Sequence, residues 1–379
     1  MLRQQRDIAG PAAKPRDPQW ENVRYIAATT VLVGHAITPL RDQFPFMHWL
    51  YNASWQLGVP AFALISGRFS SALPLTGRAA GRLVTGIALP YVAVSLVTSI
   101  QLWAIDREWH FSLVEPAATL WFLLSLIFWK MALPYVVTLR WPLAISVLLA
   151  LTVGFAEDIG YPFSASQTIT FFPFFYLGHL LREREGFASA VAAVPRWAAA
   201  LVTAALAGGA WLLNDRLSPE WLAMKRPYSA EDFAFARGVP IRAAILLWGV
   251  IAVLALVRLV PRRHVPLMTS LGTAGMYIYI LHPLVLTHFH NIDFFARIDT
   301  DAEALAVLAV AVASTVVLGS RPVQALTRPL VQPRGRWLLR PPERLPDAAD
   351  GRGGTPPPPR SPAASPAAPQ GADPASRSG

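Results

Sequence analysis

Stretches of about twenty apolar residues recur along this 379-residue chain, each long enough to cross the hydrocarbon core of a bilayer as a helix. That feature settles the fold class before any other. A helix satisfies its own backbone hydrogen bonds, which lipid cannot do for it. Ten such helices are read from the sequence, over residues 23–40, 55–72, 83–103, 118–137, 142–157, 168–181, 191–213, 238–258, 267–288 and 302–320. The fifth and sixth are short and are interrupted by Pro162 and Pro173. Composition agrees, with 54% of the residues hydrophobic and only 15% charged. A soluble chain of this length needs more charge to cover its surface. The expected fold is all-α, a polytopic membrane helical bundle of about ten transmembrane helices.

Charge placement orients the bundle. If the N-terminus lies inside, the inner segments 1–22, 68–82, 130–141, 181–197, 258–263 and 321–340 hold 20 Lys and Arg. The outer segments hold 7: Arg41, Arg107, Arg216, Lys225, Arg226, Arg237 and Arg297. That asymmetry fits the positive-inside rule with both termini cytoplasmic, and an even helix count keeps the alternation. Residues 1–20 read as a cytoplasmic segment with no signal-peptide cleavage pattern, so targeting is expected to fall to the first membrane helix. Residues 21–330 read as the membrane domain. Residues 331–379 read as a Pro/Ala-rich disordered cytoplasmic tail that lacks the apolar area to fold. The longest outer loop, about 214–238, mixes charge with Trp221, Tyr228 and Phe233, as a segment resting on the membrane or covering a site would. The net charge of +10 is assigned to inner loops near anionic lipid and to the tail, not to nucleic acid. There are no cysteines, which excludes disulfides and thiolate-metal sites. No metal site is expected elsewhere. His288 and His290, two apart beside Asp293, read as solvated, and His48, His110, His179 and His264 as interfacial or loop-borne.

Ionisable groups at membrane depth are costly, so each one present requires a reason. The first helix holds Glu21, Arg24 and His35. Eleven residues separate Arg24 from His35, which puts them on one helical face about 16 Å apart along the axis. That spacing is too long for mutual contact and suits two groups holding different parts of one long ligand. A snorkelling Arg and a His bonded to a neighbouring helix is the competing structural reading. The ninth helix carries Tyr279, His282 and Pro283. The proline frees a backbone carbonyl near Tyr279, so His282 reads equally as part of a kink or as part of a site. Ser66 and Gly67 alone suggest close helix packing. Arg78 and Arg82 lie four apart on one face at the inner surface, where topology explains them and phosphate binding would also use them. Trp121-Phe122-Leu123 alone reads as an aromatic belt.

Taken in order, these residues resemble the acyltransferase-3 family of integral membrane O-acyltransferases, and within it the fucose 4-O-acetylase-like branch. The resemblance spans roughly residues 18–330. Its first motif, an acidic residue, then Arg or Lys, then ten residues and His, is matched by Glu21, Arg24 and His35, with Glu21 where Asp is usual. Its second, Val-Pro-x-Phe-x-x-x-Ser-Gly, is matched by Val59-Pro60-Ala61-Phe62-Ala63-Leu64-Ile65-Ser66-Gly67. Trp121-Phe122-Leu123 and Ile278-Tyr279-Ile280-Leu281-His282-Pro283 are similar to later family signatures. Many members carry an Arg-x-x-Arg pair, whereas here Arg78 and Arg82 are four apart.

The resemblance implies transfer of an acyl group, most often acetyl, from cytoplasmic acyl-CoA to a hydroxyl of a carbohydrate or glycolipid, in the cell membrane. Acyl-CoA is then a co-substrate, and no cofactor is expected to stay bound. It implies His35 as the catalytic group, Arg24, Arg78 and Arg82 at the donor phosphates, and Glu21, Ser66, Gly67, Trp121 and His282 in support. His titrates close to working pH and suits general-base work, either directly on the acceptor hydroxyl or through an acyl-imidazole. The competing class is a transporter or flippase of a glycan or lipid-linked substrate. That class is expected to show internal repeats or broken helices in matching positions, and the sequence displays neither.

Overall fold

In the computed structural model the described residues are 17–339, apart from 108, 117, 158–161, 232–234, 293, 336 and 337. Most of the expected N-terminal segment and of the Pro/Ala-rich tail therefore lies outside them, as does Asp293. Every element among the described residues is a helix, or a short helical turn. They run α1 (Pro18–Ala36), α2 (Pro45–Arg68), α3 (Gly77–Leu83) and, after a π-helical turn at Val84–Ala88, α4 (Leu89–Asp106). Then come α5 (Trp121–Val136), α6 (Pro142–Thr152), α7 (Ala165–Glu183), α8 (Glu185–Ala193), α9 (Arg196–Leu212) and the short α10 (Pro219–Ala223). The chain ends with α11 (Phe235–Leu259), α12 (Pro266–Thr273), α13 (Gly275–His290), α14 (Asp301–Leu318) and α15 (Arg321–Val331).

Each of the ten segments expected to be helical falls on a helix. Three helical stretches are long and apolar enough to cross a membrane, Gly77–Asp106, Arg237–Leu259 and Asp301–Leu318. Two bent pairs raise the number to five if each counts as one span. The remaining long helices, α1, α2 and α7, fall short on apolarity because they carry polar residues, and those residues are buried. Asn22, Asn52, Ser54, Gln167 and Thr170 all lie inside the bundle. The apolar helices form its outside: Leu201 and Leu212 on α9 and Val310 and Val317 on α14 are all at least 60% exposed. A surface of that kind suits lipid.

The close approach of the central helices has a sequence cause. A methyl group on Gly67 of α2 would strike the backbone carbonyl of Phe175, and one on Gly178 of α7 would strike that of Leu64. Two glycines facing each other across the α2–α7 contact let the backbones touch. Ser66-Gly67 thus serves packing first, the structural reading of that pair.

The structure departs from the expected helices in three places. The second starts ten residues earlier, at Pro45, where proline's fixed φ suits the first turn. The seventh and ninth are broken, at 81° between α8 and α9 and at 73° between α12 and α13. Pro195 sits at the first break and cannot continue a helix through its missing N–H. At the second, α12 is tucked across the start of α1: the Thr269 hydroxyl donates to Asn22 at 2.7 Å, and Gly272 lies against the Glu21 carbonyl. The expectation of unbroken helices is thereby corrected, and it no longer argues against a transporter. His179 is corrected as well, since it is buried on α7 and not at an interface or on a loop.

Candidate active site

His35 occupies the last turn of α1. The helix opens on the Asp17 cap, whose side chain accepts from the Gln19 N–H, with Pro18 in the first turn. It stops just after His35 because Pro39 lies in the 3₁₀ turn Thr38–Leu40 that follows. The imidazole lines a cavity with Gly34, Tyr51, Ser54, Trp55 and Trp121. No hydrogen bond to its ring is present among the described residues, so the ring nitrogens face the cavity uncommitted. Gly34 has no room for a side chain, since a methyl there would run into the Ser54 hydroxyl, and this brings α2 against the final turn of α1.

The structure brings His282 to His35. The two rings stack with centroids 5.5 Å apart and planes 26° apart, and Trp55 meets His35 edge-on at 6.5 Å. His282 is 1% exposed, its Nδ1 lies 3.2 Å from the Ile278 carbonyl, and its Nε2 has no partner. A carbonyl accepts, so Nδ1 carries the proton and Nε2 keeps a lone pair. Thr119 adds a second unpartnered group, its buried hydroxyl, while its carbonyl accepts from the Tyr279 hydroxyl. Leaving a buried polar group unpaired costs about 1–3 kcal/mol, and such groups gather where a ligand supplies the missing bond. Trp121 and Phe122 line the same cavity and are buried, so they are interior and not an aromatic belt.

Arg24 shares the α13-facing side of α1 with His35, as the eleven-residue spacing requires. Its stem packs on Gly275 while His35 stacks on His282, both on α13. Its guanidinium binds the Glu21 carboxylate at 2.5 Å and lies over Phe69 at 5.5 Å. Glu21 therefore neutralises it. Arg78 and Arg82 are exposed on α3 and do not line the His35 cavity. Arg82 lies within electrostatic reach of Lys130.

Lys130 belongs to a cluster that the sequence reading treated only as loop charge. Its ammonium donates to the Ser70 hydroxyl at 2.8 Å. Arg182 donates to the Ser70 carbonyl at 3.2 Å, and Arg68 to the Leu181 carbonyl at 2.8 Å. Arg68 also lies 4.5 Å over the Trp20 ring. These cations surround the turn after α2, at the same end of the bundle as Arg24; we call this the basic end. Lys130, inside an apolar helix, carried its own signal as an ionisable group at membrane depth. So did Arg242 of α11, 4% exposed, which donates to the Ala150 and Arg226 carbonyls and covers Tyr228 at 4.6 Å. Arg242 fastens the 214–231 segment, which lies over the opposite end of the bundle.

The chemistry available is that of a base in the lining of an aromatic-walled cavity, with cations at one end of the bundle and a held segment over the other. Among the described residues no three His, Cys, Asp or Glu side chains gather as a metal would need. No curated protein and no solved structure matches the chain. A family model for acyltransferase domains, of the acyltransferase-3 type, does match, over residues 17–320. The match runs from the Asp17 cap of α1 to the turn after α14, and so takes in the cavity, the basic cluster and the covering segment. The chain belongs to the acyltransferase-3 family of membrane acyltransferases.

Proposed function

We propose that the chain transfers an acyl group, acetyl in the first instance, from cytoplasmic acyl-CoA to a hydroxyl of a carbohydrate or glycolipid, with His35 as general base. The observation that carries this reading is the uncommitted His35 imidazole stacked on His282 in an aromatic-walled cavity. The basic end faces the cytoplasm under the positive-inside rule, both termini lie there, and ten spans bring the chain back to it. Donor phosphates then meet Lys130, Arg182, Arg68, Arg82 and Arg24, since cations hold phosphate by charge-assisted hydrogen bonds. The thioester end reaches up the bundle to His35, and the opposite mouth is left to the acceptor.

In the transfer step the acceptor O–H gives its proton to the free nitrogen of His35 while its oxygen bonds to the thioester carbonyl carbon. The C–S bond then breaks, and CoA leaves as a thiol carrying the proton from the imidazolium. This route needs one base and no covalent enzyme intermediate. His282, with its Nδ1 proton held by the Ile278 carbonyl, orients His35. The fucose 4-O-acetylase-like motifs favour a sugar hydroxyl as acceptor.

Purified protein supplied with acetyl-CoA and mixed glycans tests the reading by mass spectrometry of the products. An acetyl-sized gain on glycan that His35→Ala loses is the expected result. Release of CoA at the same rate from wild type and His35→Ala protein would refute it.

A further inference from the structure

The end of the bundle opposite the basic cluster holds an unpaired cation that topology does not explain. Positive-inside placement keeps Lys and Arg away from this side. Two of the seven outer basic residues, Arg41 and Lys225, nevertheless belong to the side of the bundle where Tyr51 walls the His35 cavity. Arg41 is already balanced. Its guanidinium covers Tyr51, a cavity wall, at 5.0 Å, and lies 3.4 Å from Asp42 and 3.8 Å from Glu220. Glu220 in turn accepts from the Ser218 hydroxyl at 2.7 Å.

Lys225 is different. Its side chain is exposed, and among the described residues its ammonium makes no hydrogen bond or ion pair. Its segment is tied to the cavity wall, because the Arg41 guanidinium that covers Tyr51 also meets Glu220, on the short helix just before Lys225. The His290 ring faces the His35 backbone. Its side chain is exposed, in keeping with the expectation of a solvated group.

The backbone beneath Lys225 is held in place. Ser166 and Gln167, both 2% exposed, donate to the carbonyls of Met224 and Ala223 at 2.7 and 2.9 Å. Downstream, the Tyr228 N–H bonds the Gly154 carbonyl at 2.7 Å and its hydroxyl the Leu151 carbonyl at 2.8 Å. Met224 itself is buried with φ of 54°, a left-handed conformation that is costly for a non-glycine residue. Such a residue persists only where its surroundings over-determine it. The segment is a fixed rim that presents Lys225, and not a loose loop that happens to carry it.

We propose that Lys225 selects an acceptor sugar bearing an anionic group, a carboxylate or a phosphate, and seats it with a neighbouring hydroxyl toward His35. The inference rests on the reading of the cavity as the transfer site. Partial desolvation by the surrounding protein, and the adjacent Arg226, hold the accessible Lys225 ammonium below the usual lysine range. Tyr51, Trp55 and Trp121 wall the cavity in which the sugar hydroxyl would meet His35.

Full-length protein in lipid nanodiscs, given acetyl-CoA, tests this with three acceptors: methyl glucoside, methyl glucuronide and glucose 6-phosphate. Acetyl-CoA hydrolysis without acceptor serves as the reference. Wild type is expected to show a KM at least about tenfold lower for an anionic acceptor than for the neutral one, the scale of one charged hydrogen bond. The two anionic arms tell carboxylate from phosphate. Lys225→Gln should close the gap, mainly through KM, and Lys225→Arg should retain it. A wild-type preference for the neutral sugar, no acylation of either anionic sugar, or a gap that survives Lys225→Gln would overturn the inference. Wild type that neither hydrolyses acetyl-CoA nor acylates any sugar would instead overturn the transfer reading beneath it.

Discussion

The two ends of the bundle treat their cations in opposite ways. At the basic end four cations are already engaged, Arg24 by Glu21, Lys130 by the Ser70 hydroxyl, and Arg68 and Arg182 by backbone carbonyls, while Arg82 stands exposed on α3. At the opposite end Lys225 has no partner among the described residues, although the backbone beneath it is fixed. Engaged cations are oriented before a ligand arrives, so little side-chain entropy is lost on binding. An unengaged cation leaves its full charge for one ligand group and discriminates by its presence. On the proposed function the basic end would hold one invariant ligand, the phosphates of CoA, and the other end would choose among acceptors.

The largest expected effect lies between the two ends. His35→Ala should lower acyl transfer by about 10²–10⁴-fold, the usual loss for a general base, while the protein still inserts and folds. Stopped assays with acetyl-CoA and an identified acceptor read this directly, and retention of a tenth or more of the rate would remove His35 as base.

Next in size is the basic end. Lys130→Met and Arg24→Ala should each raise the KM for acyl-CoA about tenfold and leave the acceptor KM in place, because each removes a charge from the phosphate side. The comparison breaks if either variant shifts the acceptor KM instead. A smaller loss is expected from His282→Gln, which keeps a hydrogen-bonding side chain beside His35. Measurable transfer should persist, and complete loss in folded protein would make His282 a second catalytic group. Ser66→Ala should change kcat/KM by no more than about twofold, since Ser66 lies at the α2–α7 packing face and does not line the cavity. A tenfold fall would return that motif to the site.

Much of this was legible before any coordinates. Apolar run length placed all ten helical segments, because lipid leaves the backbone few alternatives. The eleven-residue interval from Arg24 to His35 put both on one face, and both do face α13. What sequence could not give was partnership. Nothing in the spacing says that Glu21 takes the charge of Arg24, or that a residue 247 positions along stacks on His35. The breaks at Ala193 and Thr273 were half legible: Pro195 announces the first, whereas the second depends on α12 packing across Asn22. Lys130 and Arg242 were passed over although each is an ionisable residue inside an apolar helix, which is itself a signal. Lys225 had none, since only the fold carries a residue of the 214–231 segment to the side of the bundle where Tyr51 walls a cavity lined from α1, α2 and α5.

The central claim is that the two ends serve two substrates, which meet at His35 from opposite sides of the membrane. Proteoliposomes with the protein in one defined orientation, loaded with acetyl-labelled CoA on one side only and an acceptor sugar on the other, test it most directly. Labelled acyl-sugar should form when the donor is on the side of Arg24 and Lys130 and the acceptor on the side of Lys225, and not in the reversed arrangement. Product that forms only when both substrates share one side would contradict the account.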